Sequence, residues 1–176
     1  MVRYGRRNPS LAVINQEVRR HVNDMEGVHG FDFLHGSWNV ANRRLKHRRV
    51  GSSEWEEFPG AAVCRGFFDG AGNIDQIDFP TLGFSGVTMR LFDPNNQEWS
   101  LYWANSRDGL LQPPVIGGFA NGRGDFYGDD TDGGQSIRVH YLWSAITPQS
   151  ARWQQAFSLD GESWETNWIM ELTRAK

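Results

Sequence analysis

Apolar and polar residues alternate along most of the chain beyond residue 31, with the period of a β-strand that has one face buried. The pattern is clearest in three stretches near the C-terminus, at 136–146, 151–159 and 163–173. Each predicts a strand whose apolar face points inward. The predicted inward residues are Ile137, Val139, Tyr141 and Trp143 in the first stretch; Trp153, Gln155, Phe157 and Leu159 in the second; and Trp164, Thr166, Trp168, Met170 and Leu172 in the third.

Turn-forming residues divide the preceding part of the chain into similar short segments. Gly, Asn, Asp and Pro recur between the alternating stretches. Seven further strands are predicted, at 38–45, 55–67, 74–79, 84–92, 99–105, 113–119 and 125–127, with 128–134 as a polar loop. Short strands joined by tight turns favour an all-β fold, a single antiparallel up-and-down β-barrel of about 8–10 strands. We expect this barrel to occupy residues 31–176.

Residues 1–30 depart from this pattern and predict a basic leader with a short helix. Leu11, Ile14, Val18 and Val22 follow one another at spacings of three and four, so they share one face of a helix over 10–26. This helix either caps the mouth of the barrel or mediates dimerisation, and capping is the preferred interpretation.

The two central strands are assigned to faces by the same alternation. In the strand at 84–92, Val87, Met89 and Leu91 are predicted to point inward, opposite Thr88 and Arg90. The strand at 99–105 is ambiguous, and we favour the face that carries Trp99, Leu101, Trp103 and Asn105 as the inner one. The predicted interior is therefore aromatic, with a few polar points at Asn105, Tyr141, Gln155 and Thr166.

Composition and charge bear on three questions: what lines the barrel, what the leader contacts and where the protein is located. Aromatic residues make up 13% of the chain, enough to line a barrel that its own side chains do not fill. Residues 1–50 carry ten Lys and Arg against four Asp and Glu, while residues 51–176 carry eight against seventeen. A basic leader can contact nucleic acid, but we favour contact with its own domain or with a neighbouring subunit. A single cysteine, Cys64, and the absence of a signal peptide or apolar span predict a cytoplasmic protein.

Several motifs together resemble the calycin, or lipocalin-like, superfamily. A Gly36-x-Trp38 motif opens the first strand and Arg174 closes the last. The resemblance implies that Arg174 stacks over Trp38. The chain is also similar to a set of uncharacterised bacterial calycin-like proteins, which brings a fold but no activity. The matching runs are 31–34, 91–94, 102–109, 126–130 and 164–168.

The first functional hypothesis is a barrel that binds a hydrophobic, partly polar small molecule. Aromatic walls with a few placed polar groups are typical of such pockets. The predicted walls are Trp38, Met89, Trp103, Tyr141, Trp153, Trp168 and Met170, with Asn105 and Gln155 as polar anchors.

The alternative is a cofactor-independent lyase, cyclase or isomerase that acts in the same cavity. His35, placed at the barrel mouth, is its candidate acid or base, and Tyr102 and Arg107 are candidate orienting groups. Two simpler interpretations compete with it. His35 is better explained as a surface or hydrogen-bonded histidine at a strand start, whereas 105–109 is equally well explained as a turn whose side chains bond its own backbone.

A third hypothesis is haem binding through His140, which the resemblance to nitrobindin-like barrels implies, although alternation places His140 on the outer face. We otherwise expect no cofactor and no metal. Asp125, Asp129, Asp130 and Asp132 lack the spacing of a calcium loop and favour a solvated hairpin. The expected partners are a small molecule and, as an open option, a second copy of the chain, with no nucleic acid and no membrane.

Overall fold

The computed structural model describes residues 26–176, and the predicted helix at 10–26 lies outside the described residues. Ten antiparallel strands follow one another around a closed barrel. The strands are β1 (Gly36–Leu45), β2 (Trp55–Phe67), β3 (Gly72–Phe79), β4 (Phe84–Asp93), β5 (Glu98–Asn105), β6 (Val115–Ala120), β7 (Arg123–Asp132), β8 (Gln135–Ser144), β9 (Ser150–Ser158) and β10 (Glu165–Arg174). Three 3-10 turns, at Gly27–His29, Asp32–Leu34 and Phe68–Gly70, complete the described elements.

Each strand pairs with its neighbour in sequence, and β1 closes the ring by pairing with both β2 and β10. The predicted antiparallel up-and-down barrel is therefore confirmed. Nine of the ten predicted strands match the observed ones to within about two residues, which is the usual scatter of strand ends. Among the described residues, no helix is long and apolar enough to cross a membrane.

The segment before β1 plugs one end of the barrel. The side chains of Phe31 and Leu34 are almost fully buried there, around the 3-10 turn at Asp32–Leu34. Phe31 packs edge-on against Trp99 and Phe119, with ring centres 5.0 and 4.8 Å apart. Trp38, the first inward residue of β1, donates its indole N–H to the carbonyl of Leu34 at 2.7 Å. This end of the barrel is consequently closed by apolar side chains.

Arg174, at the end of β10, bonds to the plug, the segment at 31–35 that closes this end of the barrel. Its guanidinium carbon lies 3.9 Å from the ring centre of Trp38, which confirms the stacking that the resemblance implied. The same group donates hydrogen bonds to the carbonyls of His35, Phe33 and Pro148. The closed ten-stranded barrel and this contact are thus the arrangement that the resemblance to calycin-like proteins implied.

β7 is longer than predicted because the segment at 128–134 is not a loop. Asp129 to Asp132 continue the strand and pair with β8 down to Asp132 opposite Gln135. The hairpin turn is made by Gly133 and Gly134, both at positive φ, as a two-residue turn of this kind requires. The acidic side chains of this segment therefore stand on a strand at the open end of the barrel.

The inner and outer faces predicted for β4 are reversed in the structure, so the prediction that Met89 points inward is also wrong. Thr88 pairs with Trp103 and Arg90 with Leu101, and all four residues line the interior. Directly opposed residues of an antiparallel pair share one face, so Met89 lies outside, opposite Ile74 on β3 and Tyr102 on β5. Alternation gave the wrong face because Arg90 has a charged partner, Asp75, and a polar one, Asn73, inside the barrel. The favoured face of β5 is confirmed.

A β-bulge divides β10 into two phases. The register shifts between Thr166 and Trp168, so residues on either side of Asn167 alternate out of step. Trp168, Met170 and Leu172 line the interior as predicted. Trp164 instead packs on the outside against His140, with ring centres 5.7 Å apart, and Thr166 shares that outer face. In β9, the predicted inward residue Leu159 falls beyond the strand end and is 55% exposed.

We expect Arg174→Ala to lower the free energy of unfolding by about 3 kcal/mol, because it removes charge-assisted bonds to three carbonyls and the contact with Trp38. Urea denaturation measures this loss. Arg138→Ala is the matched control, because its ion pair with Asp129 is exposed and such pairs contribute about 0–1 kcal/mol. Equal losses in the two variants would contradict the role assigned to Arg174.

Candidate functional site

A cavity of about 370 Å³ lies between the plug and the open end of the barrel. All ten strands contribute to its lining. It exists because a ten-stranded barrel is wider than its own side chains fill, whereas about eight strands enclose an interior that side chains can nearly occupy. The volume falls within the range of about 300–1,000 Å³ that small-molecule pockets occupy.

Aromatic rings form the cavity wall. The ring centres of Tyr141 and Trp153 are 4.9 Å apart at a steep angle, and those of Trp153 and Trp168 are 5.9 Å apart. The indole of Trp168 is held in place by a hydrogen bond of 3.1 Å to the side-chain oxygen of the buried Asn42. The wall is therefore a set of mutually packed rings.

Eight of the nine residues predicted to contact a ligand line this cavity, although contact with a ligand itself remains a prediction. The exception is Met89, which lies on the outer face. The eight are Trp38, Trp103, Asn105, Tyr141, Trp153, Gln155, Trp168 and Met170.

The two predicted polar anchors already have partners within the protein. Gln155 donates from its side-chain nitrogen to Asn167, at the β10 bulge, over 2.8 Å. Asn105 donates to the carboxylate of Asp108 and accepts the backbone N–H of Arg107. The structure thus confirms the competing interpretation, in which 105–109 is a turn whose side chains bond within the turn.

A buried polar cluster occupies the interior near the closed end, and the sequence analysis missed it. Arg90 on β4 is 4% exposed and forms an ion pair with Asp75 on β3. The same guanidinium nitrogen donates to the side-chain oxygen of Asn73 at 2.9 Å. The guanidinium also lies 5.1 Å from the ring centre of Phe31 in the plug. The alternation in β3, Asn73-x-Asp75-x-Ile77, was the available signal that this inner face is partly polar.

Burial controls the protonation of two further side chains that line the cavity. Cys64 lines the cavity, and desolvation raises the pKa of its thiol to about 11, against a smaller lowering effect from Arg90. Burial also raises the pKa of Tyr141 well above its ordinary value, and the charge of Asp130 adds to the shift. Near neutral pH both groups therefore carry their protons.

The open end is rich in carboxylates. Asp108, Asp129, Asp130 and Asp132 belong to the lining there. Two of them have cationic partners, since Asp132 pairs with Arg48 and Arg49, and Asp129 pairs with Arg138. Asp108 and Asp130 form no ion pair among the described residues, so the entrance still favours neutral or cationic molecules over anions.

The three candidate catalytic residues lie outside the cavity lining. His35 sits at the closed end, not at the mouth, with its ring against Gly66 and its carbonyl bonded to Arg174. Tyr102 is on the outer face of β5, opposite Met89. Arg107 is exposed, stacks on Phe84 at 4.1 Å and donates to the carbonyl of Leu82. Strand alternation already placed Tyr102 and Asn105 on opposite faces of β5, but the two residues were grouped because they are close in sequence.

His140 lies on the outer face of β8, as alternation predicted. Its ring stacks on Tyr127 with centres 4.4 Å apart, and its Nε2 atom is 2.8 Å from the carboxylate of Asp125. This nitrogen is engaged outside the barrel, so the geometry does not favour His140 as an iron ligand in the cavity. Within residues 26–176, no cluster of three or more His, Cys, Asp or Glu side chains is arranged to hold a metal ion.

Comparisons with known proteins leave the function open. No protein-family model matches the chain, and no curated protein matches it. Among solved structures, the S-type phycobiliprotein lyase CPES from Guillardia theta is similar to the chain at 12% identity and a TM-score of 0.39. The similarity covers 96% of this chain and 99% of that chain. At a TM-score under 0.5, this likeness carries no information about ligand or reaction.

We expect Arg90→Met to lower the free energy of unfolding by about 3–5 kcal/mol, because it leaves the buried Asp75 carboxylate without its counter-charge. Urea denaturation of the variant tests this. The double variant R90M/D75N should recover at least half of the loss, since no charge then remains buried. A double variant as unstable as the single one would show that guanidinium packing, not charge compensation, is what Arg90 supplies.

The thiol of Cys64 should react slowly with a disulfide reagent such as dithiobis(nitrobenzoate) at pH 8. A pKa raised from 9.0 to about 11 lowers the reactive thiolate fraction about 100-fold, and burial limits access further. The comparison is the same protein in concentrated urea, where the thiol should react at the rate of a free cysteine. Equal rates in the folded and unfolded protein would contradict the buried placement.

Proposed function

We propose that the protein is a binding module that holds a hydrophobic, partly polar small molecule in the barrel cavity. The observation that carries this proposal is the cavity of about 370 Å³ with aromatic walls and a few buried polar side chains. Pockets for small molecules commonly combine such a wall with a small number of placed polar groups.

The favourable free energy of binding would come mainly from the wall. Burial of apolar surface contributes about 25 cal/mol per Å², so a ligand that covers about 200 Å² of apolar area gains roughly 5 kcal/mol before its entropic costs. Tyr141, Trp153 and Trp168 are positioned by contacts with one another and with Asn42. A wall that is ordered before binding loses little side-chain entropy when the ligand enters.

Binding is favoured over catalysis by the chemistry of the interior. His35, Tyr102 and Arg107 do not line the cavity, so the proposed acid/base set cannot reach a molecule inside it. Of the ionisable groups that do line it, Cys64 and Tyr141 have raised pKa values that keep them protonated near neutral pH. The Asp75 carboxylate is ion-paired with Arg90, and the remaining carboxylates lie at the open end. A protonated thiol and phenol are weak nucleophiles and weak bases.

Two further expectations from the sequence belong to the same proposal. We propose that the protein binds its ligand in the cytoplasm, which a chain with one buried cysteine suits. We also propose that it belongs with the bacterial calycin-like proteins that its sequence resembles. Dimerisation remains a prediction, to be settled by the mass of the protein in solution.

Tyr141→Ala is expected to weaken binding of the neutral fluorescent probe N-phenyl-1-naphthylamine at least tenfold, because it removes one ring of the wall. Fluorescence titration measures the affinity, and circular dichroism confirms that the barrel is retained. Tyr102→Ala is the matched control, since it deletes the same side chain from the outer face of β5. Its affinity should equal that of the parent protein.

Equal losses in the two variants would contradict the placement of the site, and no binding of the probe to the parent protein would count against the proposed function. Native mass spectrometry of the protein purified from its own source addresses the natural occupant. An extra mass that is lost on denaturation supports a tightly held ligand and identifies its class.

A further inference from the structure

Two buried N–H groups near the closed end of the cavity have no hydrogen-bond partner among the described residues. They are the Nε atom of Arg90 and the indole Nε1 atom of Trp143. Both side chains line the cavity and are less than 5% exposed. A buried donor left without an acceptor typically costs about 1–3 kcal/mol. Native proteins keep few such groups, and each one needs an explanation.

These two donors belong to one small region. The guanidinium carbon of Arg90 lies 5.9 Å from the ring centre of Trp143, and Phe31 of the plug lies on the guanidinium at 5.1 Å. One terminal nitrogen of the guanidinium already bonds to Asn73 and pairs with Asp75. The two remaining donors thus belong to neighbouring side chains that line the same cavity, where an incoming oxygen atom is the acceptor that they lack.

The charges around these two donors favour a neutral oxygen acceptor on the ligand over a carboxylate. Arg90 is already neutralised by Asp75, so a ligand carboxylate would leave an uncompensated negative charge in the buried cluster. The entrance adds Asp108 and Asp130, which form no ion pair among the described residues, to the field that an anion must cross. A neutral carbonyl accepts the same hydrogen bonds without either penalty.

We infer that the ligand is a neutral aromatic carbonyl compound whose oxygen accepts hydrogen bonds from Arg90 and Trp143 at the closed end of the cavity. This inference rests on the proposed binding function and names the chemical class of its ligand. The ring system lies against Tyr141 and Trp153, and the carbonyl leads into the barrel. The interior donors thus supply orientation, while the aromatic wall supplies most of the affinity.

Three matched probes test the inference: 2-acetylnaphthalene, 2-ethylnaphthalene and 2-naphthoate. They share one ring system and differ in whether the substituent is a neutral acceptor, an apolar group or an anion. Equilibrium dialysis against the full chain measures each affinity. We expect the ketone to bind about tenfold more tightly than the hydrocarbon, which is about one net hydrogen bond, and more tightly than the carboxylate.

Trp143→Phe removes the indole N–H while keeping an aromatic ring at the same position. It should reduce the preference for the ketone over the hydrocarbon at least threefold. Trp153→Phe is the control, because it makes the same substitution in the same wall at an indole that is not among the unpartnered buried donors. It should weaken both probes equally and leave the preference unchanged. Circular dichroism and thermal melting confirm that both variants are folded.

The outcomes separate the two proposals. If all three probes, as well as N-phenyl-1-naphthylamine, fail to bind, the binding function itself is overturned. If the probes bind but the hydrocarbon equals the ketone, or Trp143→Phe leaves the preference unchanged, the cavity binds ligands and the carbonyl inference is wrong. Tighter binding of 2-naphthoate than of the ketone would overturn the inference in favour of an anionic ligand.

Discussion

The contact of Arg174 with Trp38 and the plug is the constraint on which the rest of the barrel depends. An open ten-stranded sheet would have two unpaired edges, and pairing of β1 with β10 removes both. Arg174 lies at the end of that seam and ties it to the segment before β1 through the carbonyls of Phe33 and His35. The pairing of β1 with β10 closes the ring, Phe31 and Leu34 fill one of its ends, and Arg174 joins these two features, so the described cavity opens at the other end.

Closure with ten strands determines what the interior can contain. The barrel is wider than its side chains fill, so inward positions need not all be apolar, and outward positions need not all be polar. Arg90, Asp75 and Asn73 point inward and satisfy one another in part, whereas Met89 and Ile74 pair on the outer face. The same width that leaves space for a ligand thus weakens the rule by which alternation identifies the buried face.

The sequence predicted the architecture and most of the wall because these rest on local signals. Turn residues located the strands, and Ile137 to Trp143 alternate in phase with the interior. The polar cluster could not be predicted from the sequence because it depends on the register between β3 and β4, which pairs Asn73 with Arg90. The outer placement of Trp164 depends on the bulge at Asn167, a single residue that no alternating pattern marks.

The polar cluster is better explained by recognition than by stability. A buried ion pair is weak evidence for stabilisation, because well-packed apolar residues of similar volume often hold a fold equally well or better. Arg90 and Trp143 moreover keep buried N–H donors that have no acceptor among the described residues, and each such donor disfavours the folded state. That cost is recovered when a ligand oxygen enters. The apolar wall admits many molecules of suitable size, and the unmet donors distinguish among them by chemistry.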